Sequence, residues 1–159
     1  NATFLTLDNK EISLSDYDSD FTLISFIFSK CPMPNMCPAS IIKNQYLSNY
    51  FKNEKINFIL ISFDYLYDTP KVLNNIYGTM EKENSNIKFL SSRGRLDDLY
   101  IITKQSMCEF WGIEENNIGH TMRSILVGPS RQLLHVYDGT DWELSKARDD
   151  IMNMLKMYY

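Results

Sequence analysis

Cys31 and Cys37 stand six positions apart in "SKCPMPNMCP", each followed by a proline, with Met33 and Met36 between them. Sulfur at that density supports three chemistries: a disulfide, a redox-active dithiol, or a set of soft ligands for a metal ion. Pro38 reads as the first residue of a helix, which places Cys37 at or beside the N-cap. Unpaired N–H groups and the helix dipole there favour a thiolate, the form that attacks disulfides and binds soft metals. Pro32 and Pro34 forbid a regular helix between the cysteines, so a loop must bring the two sulfurs together. Met33 and Met36 carry two readings, as core filler or as thioethers over a metal.

Nitrogen ligands are scarce, because the chain has two histidines. His135 lies inside the strand-like "RQLLHVYDG" and reads as structural. His120, in "NNIGHTMRSILV", follows a loop and opens a strand, so it is placed to project from a sheet end. Its position alone leaves a ligand role and a structural role equally open. Two thiolates joined by one imidazole would suit copper in either oxidation state. Zinc comes second, since structural zinc normally closes with four ligands and three are evident. Cys108 stands apart in "QSMCEFWGI" and reads as a small buried hydrophobe beside Phe110 and Trp111.

The elements that must position these residues follow from pattern. "ATFLTLD" and "EISLSDY" flank Asn9-Lys10 and predict two short strands joined by a tight turn. "FTLISFIFS" (21–29) and "INFILISFD" (56–64) are near-continuous in β-branched and aromatic residues, the pattern of strands buried on both faces. Between them Ile41, Ile42, Tyr46, Leu47 and Tyr50 recur at helical spacing from Pro38 onward. Thr69 and Pro70 supply an N-cap and a first helical residue for a second helix, faced by Val72, Leu73, Ile76 and Tyr77. "IKFLSS" (87–92) predicts a third strand and 95–111 a third helix. "HTMRSILVGPSRQLLHVYDG" predicts a hairpin around Gly128-Pro129-Ser130-Arg131. A last helix over roughly 142–157 presents Leu144, Ala147, Ile151, Met154 and Leu155.

Strand–helix–strand order implies parallel pairing, and the late hairpin adds antiparallel strands. The expected class is α/β: a thioredoxin-like fold with a mixed central sheet flanked by helices and an N-terminal β-hairpin. The cysteines fall where the first buried strand meets its helix, outside the strand ends where such sheets gather their sites. No linker or repeat interrupts the 159 residues, which predicts a single domain over 1–159. A net charge of −4 without a long basic run argues against nucleic acid as a partner. The most apolar run, Phe21 to Phe28, falls far short of the roughly 20 residues of a membrane-spanning helix. Three cysteines are too few for a disulfide-built scaffold.

Four segments, in this order, resemble the SCO/SenC family, the thioredoxin-like copper proteins of cytochrome c oxidase assembly. "FLTLDNKEISLSDY" is similar to the family's entry hairpin, and "FIFSKCPMPNMCP" to its strand and Cys-Pro…Cys-Pro loop. "ISFDYLYDTPKVL" resembles its second strand, and "GHTMRSILVGPSRQLLHVYDG" the segment with its metal-binding histidine. The resemblance implies Cys31, Cys37 and His120 as copper ligands and Asp64 as an acidic residue close to them, whereas Asp68, Thr69 and Pro70 read as helix-start chemistry. It also implies an exported protein, tethered to the membrane by a segment absent from this chain, in the periplasm or on the outer face of the cytoplasmic membrane. The chain departs from the family at one point. The usual loop has three residues between the cysteines and this one has five, which gives the sulfurs more freedom. Met33 or Met36 as an added soft ligand would tilt such a site toward Cu(I).

Two main functions are therefore expected. The first is a metallochaperone that passes copper to a cytochrome c oxidase subunit or another cuproprotein by ligand exchange. The second is a thiol–disulfide oxidoreductase in which Cys31 and Cys37 reduce partner cysteines, with a separate reductant restoring the dithiol. An interaction module with a fixed disulfide and a peroxidase rank below these. Neither uses His120.

Overall fold

A computed structural model describes residues 2–159 apart from 18–19, 33–35, 122 and 140–141. Met33 therefore lies outside the described residues. The centre of the molecule is set by β3 (Phe21–Ile27) and β4 (Ile56–Ser62), the two apolar runs. They pair in parallel along their whole length, from Phe21 opposite Ile56 to Ile27 opposite Ser62. Every residue of β3 is buried, as a strand covered on both faces requires. β5 (Ile87–Ser91) continues the parallel set beyond β4.

The N-terminal hairpin, β1 (Thr3–Leu5) with β2 (Glu11–Ser13), joins antiparallel at the β5 edge through Leu5 and Ser91. On the other side β8 (Arg123–Val127) pairs antiparallel with β3, and β9 (Leu133–Asp138) pairs with β8. The seven strands run in the order β2-β1-β5-β4-β3-β8-β9. This is the mixed sheet the pattern implied. Among the described residues four α-helices complete it: α1 (Cys37–Tyr50), α2 (Pro70–Glu83), α3 (Leu96–Gln105) and α4 (Leu144–Tyr158). Thr69 caps α2 as expected, its hydroxyl oxygen accepting from the Val72 N–H at 3.2 Å.

Three local expectations need correction. The second strand stops at Ser13, because Leu14–Tyr17 coil into a 3-10 turn and Asp16 accepts the Ser13 N–H. α3 ends at Gln105 and not near 111. The Ser106 hydroxyl bonds back to the Ile102 carbonyl, Met107 takes a left-handed φ of 54°, and the Cys108 N–H closes on the Thr103 carbonyl. The chain thus reverses into a two-residue strand, β6 (Phe110–Trp111), paired with β7 (Gly119–His120).

The third correction concerns which face of α1 is inside. Its buried residues are Cys37, Ser40, Ile41, Asn44, Leu47 and Ser48. Ile42, Tyr46 and Tyr50, which carried the helical pattern, are exposed. The polar side chains are tolerated inside because they bond to one another and to the sheet. Asn44 donates to the Ser25 hydroxyl at 3.1 Å and to the Ser40 carbonyl at 2.8 Å, and Ser25 and Ser124 share a 2.7 Å bond across β3 and β8. On the outside, Arg148 of α4 donates to the Tyr46 hydroxyl and lies over the Tyr50 ring, joining the two helices.

Candidate metal centre

The chain leaves β3 through Phe28, Ser29 and Lys30 and reaches Cys31, whose N–H donates to the Phe28 carbonyl at 3.3 Å. Cys37 is the first residue of α1, behind Met36 at the N-cap. Cys31 is half-buried and Cys37 fully buried, and neither is in a disulfide. Cys31 lies close enough to the Cys37 thiol to oppose its ionisation. Across the sheet end, His120 Nε2 lies 3.5 Å from Cys37 Sγ. Two residues 83 positions apart thus meet at one point.

The imidazole is oriented by its other nitrogen. Nδ1 sits 3.0 Å from the Thr121 carbonyl oxygen, which can only accept, so Nδ1 carries the proton. Nε2 is left with its lone pair toward Cys37. Such a bond behind a ring nitrogen fixes the tautomer and orients the ring, the arrangement found behind metal-bound histidines. Phe63 lies 4.3 Å and Phe28 5.6 Å from the imidazole, ring centre to ring centre. These walls exclude water from one side of the site.

Burial pushes the Cys37 thiol far above the ordinary thiol range, with smaller contributions from Cys31 and Asp68, while hydrogen bonding with the Phe28 backbone opposes the shift. Burial also pushes His120 down to about 4, against the opposing Thr121 hydrogen bond. Both shifts favour neutral partners, so at neutral pH a Cys37 thiol faces a neutral imidazole. Burial thus works against the thiolate that the helix N-terminus favours. A soft cation would reverse that balance by taking the place of the thiol proton. Among the described residues, however, no three His, Cys, Asp or Glu side chains are gathered as a ready-made cluster. The structure joins Cys37 to His120 and to Cys31 as pairs. Met36 is half-buried at the head of α1.

Asp64 is no solvated strand end, being 1% exposed. Its Oδ1 accepts the Tyr67 N–H at 3.0 Å, and its Oδ2 lies 3.9 Å from the Lys30 ammonium. Asp68 holds a place that sequence reasoning missed. Fully buried, its carboxylate accepts the Ser29 N–H at 2.9 Å, the Ser62 hydroxyl at 2.6 Å and the Ser29 hydroxyl. Its own carbonyl accepts from Ser91. Asp68 therefore ties together the carboxyl ends of β3, β4 and β5 two residues before Cys31. No spacing signal marks this, because the three serines lie 6, 23 and 39 positions away and only the sheet gathers them. Thr69 and Pro70 supply the helix-start chemistry.

Cys108 is buried, as expected, and donates its thiol proton to the Thr121 carbonyl at 3.2 Å. Burial pushes it up to about 11. His135 lies exposed on β9 with its ring against Tyr137, away from these residues. Gly119, before His120, has no room for a side chain, since a Cβ would come within 2.5 Å of the Trp111 indole.

A thioredoxin-like sheet that places two thiols at a strand-to-helix junction, with an oriented imidazole against one of them, defines a class of thiol proteins with an imidazole beside the thiols. Within that class the chain belongs to the SCO1/SenC family, whose profile matches residues 3–156. Solved structures agree. Copper-bound ScoI of Arabidopsis thaliana superposes with a TM-score of 0.79 at 18% identity, covering 99% of this chain and 97% of that one. A SCO1/SenC family lipoprotein from Bacillus anthracis gives 0.81 at 20% identity, with 97% and 92% covered. BsSco, described as a Sco family cytochrome c oxidase assembly protein with a disulfide switch, gives 0.76 at 25% identity, with 98% and 89% covered. No curated protein sequence matches the chain.

Proposed function

We propose that this protein is a copper metallochaperone that holds its cargo through Cys31, Cys37 and His120 and passes it to a cytochrome c oxidase subunit or another cuproprotein. The observation that carries this reading is the 3.5 Å approach of His120 Nε2 to Cys37 Sγ, with the imidazole already deprotonated at the nitrogen that faces the thiol. Membership in a family with copper-bound structures supports copper as the cargo. Half-buried Cys31 is the ligand within a partner's reach, so exchange of ligands starts there, while buried Cys37 and His120 let go last. Met33 and Met36, which lie between the two cysteines in sequence, are the further thioether donors of this reading, and Asp64 is its buried acidic neighbour. Zinc is the second choice of metal. A lipoprotein among the structural relatives supports a location outside the cytoplasm with a membrane tether.

Separate titrations of the reduced protein with Cu(I) and Cu(II) test this reading. One equivalent of copper should bind, with a Cu(II)–thiolate absorption band that is lost in Cys37→Ser and His120→Ala. Absence of binding by either ion overturns it.

The second reading, a thiol–disulfide oxidoreductase, is favoured by the contrast in exposure between two neighbouring thiols. The Cys31 thiolate would attack a partner disulfide and release one partner thiolate. Cys37 would then attack Cys31 Sγ and release the second, leaving a Cys31–Cys37 disulfide for an external dithiol reductant to restore.

A further inference from the structure

Lys30 precedes Cys31, and its side chain turns toward the loop that leads to His120. The ammonium donates to Asn116 Oδ1 at 2.8 Å, lies 4.5 Å above the Tyr67 ring and sits 3.9 Å from Asp64 Oδ2. These three partners come from two loops, 64–69 after β4 and 112–118 between β6 and β7. Among the described residues, Asp64 Oδ2 is buried without a hydrogen-bond partner, and Lys30 is the counter-charge that faces it. An isolated exposed ion pair contributes little. Here one side is a buried carboxylate, and the same ammonium also holds an amide.

The 112–118 turn is a defined object. Gly112 has a φ of 77° and a Cβ there would fall 1.9 Å from the Asn117 carbonyl oxygen. The Asn117 N–H closes on the Gly112 carbonyl at 2.9 Å, and Asn116 takes a left-handed φ of 54° that aims its amide at Lys30. A second tie joins the same two loops, from the Tyr65 hydroxyl to Glu114 Oε1 at 3.2 Å. His120 lies at the base of this ribbon, two residues beyond the turn.

We propose that Lys30 is a positioning residue that pins the 112–118 turn to the cysteine loop and so sets the reach of His120 toward Cys31 and Cys37. The proposal rests on the copper reading for its purpose, but not for its test. Amide hydrogen exchange on the reduced, metal-free protein reads the pin directly. In Lys30→Met, which keeps the apolar stem, amides of 113–118 should exchange roughly 5- to 10-fold faster while α2 and β4 stay unchanged. Asn116→Ala should give the same increase, the double variant no more than either single one, and Lys30→Arg should restore most of the protection. With Cu(II) added, the thiolate band of Lys30→Met should broaden or move relative to wild type. Exchange in Lys30→Met within twofold of wild type, or fully additive effects in the double variant, overturns the proposal. Failure of wild type to bind copper would overturn the copper reading and leave the exchange result to judge the pin.

Discussion

Cys108 and His120 share one acceptor: the Thr121 carbonyl oxygen takes the Cys108 thiol proton at 3.2 Å and the His120 Nδ1 proton at 3.0 Å. Cys108 therefore belongs to the support of the imidazole and not to the set that faces Cys37. Cys108→Ala should lower stability by about 1–2 kcal/mol, from a small cavity and a lost hydrogen bond, in a urea titration. Copper stoichiometry should be unchanged. Loss of one equivalent of copper in this variant would place Cys108 among the ligands.

Stability of the metal-free protein should fall as pH drops from about 6.5 to about 4, the ordinary and native values for His120. In that window the unfolded chain binds a proton that the buried native imidazole refuses, so protonation favours unfolding. Complete loss of this contribution amounts to about 3 kcal/mol, at about 1.4 kcal/mol per pH unit. Asp68 acts in the opposite sense, since burial raises its carboxyl and the native state gains a proton above the usual carboxylate range. The difference between wild type and His120→Gln across this window isolates the histidine. Parallel stability curves for the two proteins would refute the assignment.

Removal of the Asp68 carboxylate should be more damaging than any other single polar change near the cysteines. Asp68→Ala leaves the Ser29 N–H and the Ser62 hydroxyl without acceptors in a buried place and should cost about 3–5 kcal/mol by denaturant unfolding. Asp68→Asn should cost less, because its carbonyl oxygen still accepts from Ser29 N–H and Ser62 while its NH2 turns to the Ser29 hydroxyl oxygen. Equal losses for the two variants would show that these bonds do not carry the effect.

Thiol labelling should sort the three cysteines by exposure. Cys31 should react first in the native reduced protein, with Cys37 and Cys108 at least ~100-fold slower because each must wait for local opening. Mass spectrometry of quenched time points gives the order. Early modification of Cys37 would mean that the head of α1 opens far more readily than its burial implies.

The buried strands and the Thr69-Pro70 helix start were legible because they follow from local pattern. Unbroken β-branched and aromatic runs have few other folded homes, and a cap with a following proline is a contact between near neighbours. α1 was legible as a helix but not in its orientation. Asn44 and Ser48 go inside because Ser25 and Asn86 wait there to bond them, and nothing in a hydropathy pattern announces partners so distant. β6 escaped notice for the same reason. Two residues are too few to show alternation, and their pairing depends on Gly119 and His120, eight or more positions away. The site was legible in its sulfurs, whereas position alone left His120 undecided and family resemblance singled it out. Asp68 stayed hidden because its role is to join three strand ends that only the sheet brings together.

The packing of Trp111 on Gly119 has a practical consequence. The indole is 56% exposed, yet its edge is held against the backbone of the residue before His120. The other tryptophan, Trp142, is engaged elsewhere, with Tyr137 and Lys43. Emission from Trp111 thus originates against the backbone one residue before His120, and a paramagnetic ion bound at His120 should quench it. The protein carries its own optical gauge of that corner, readable without a label and separable from Trp142 by a single Trp142→Phe exchange.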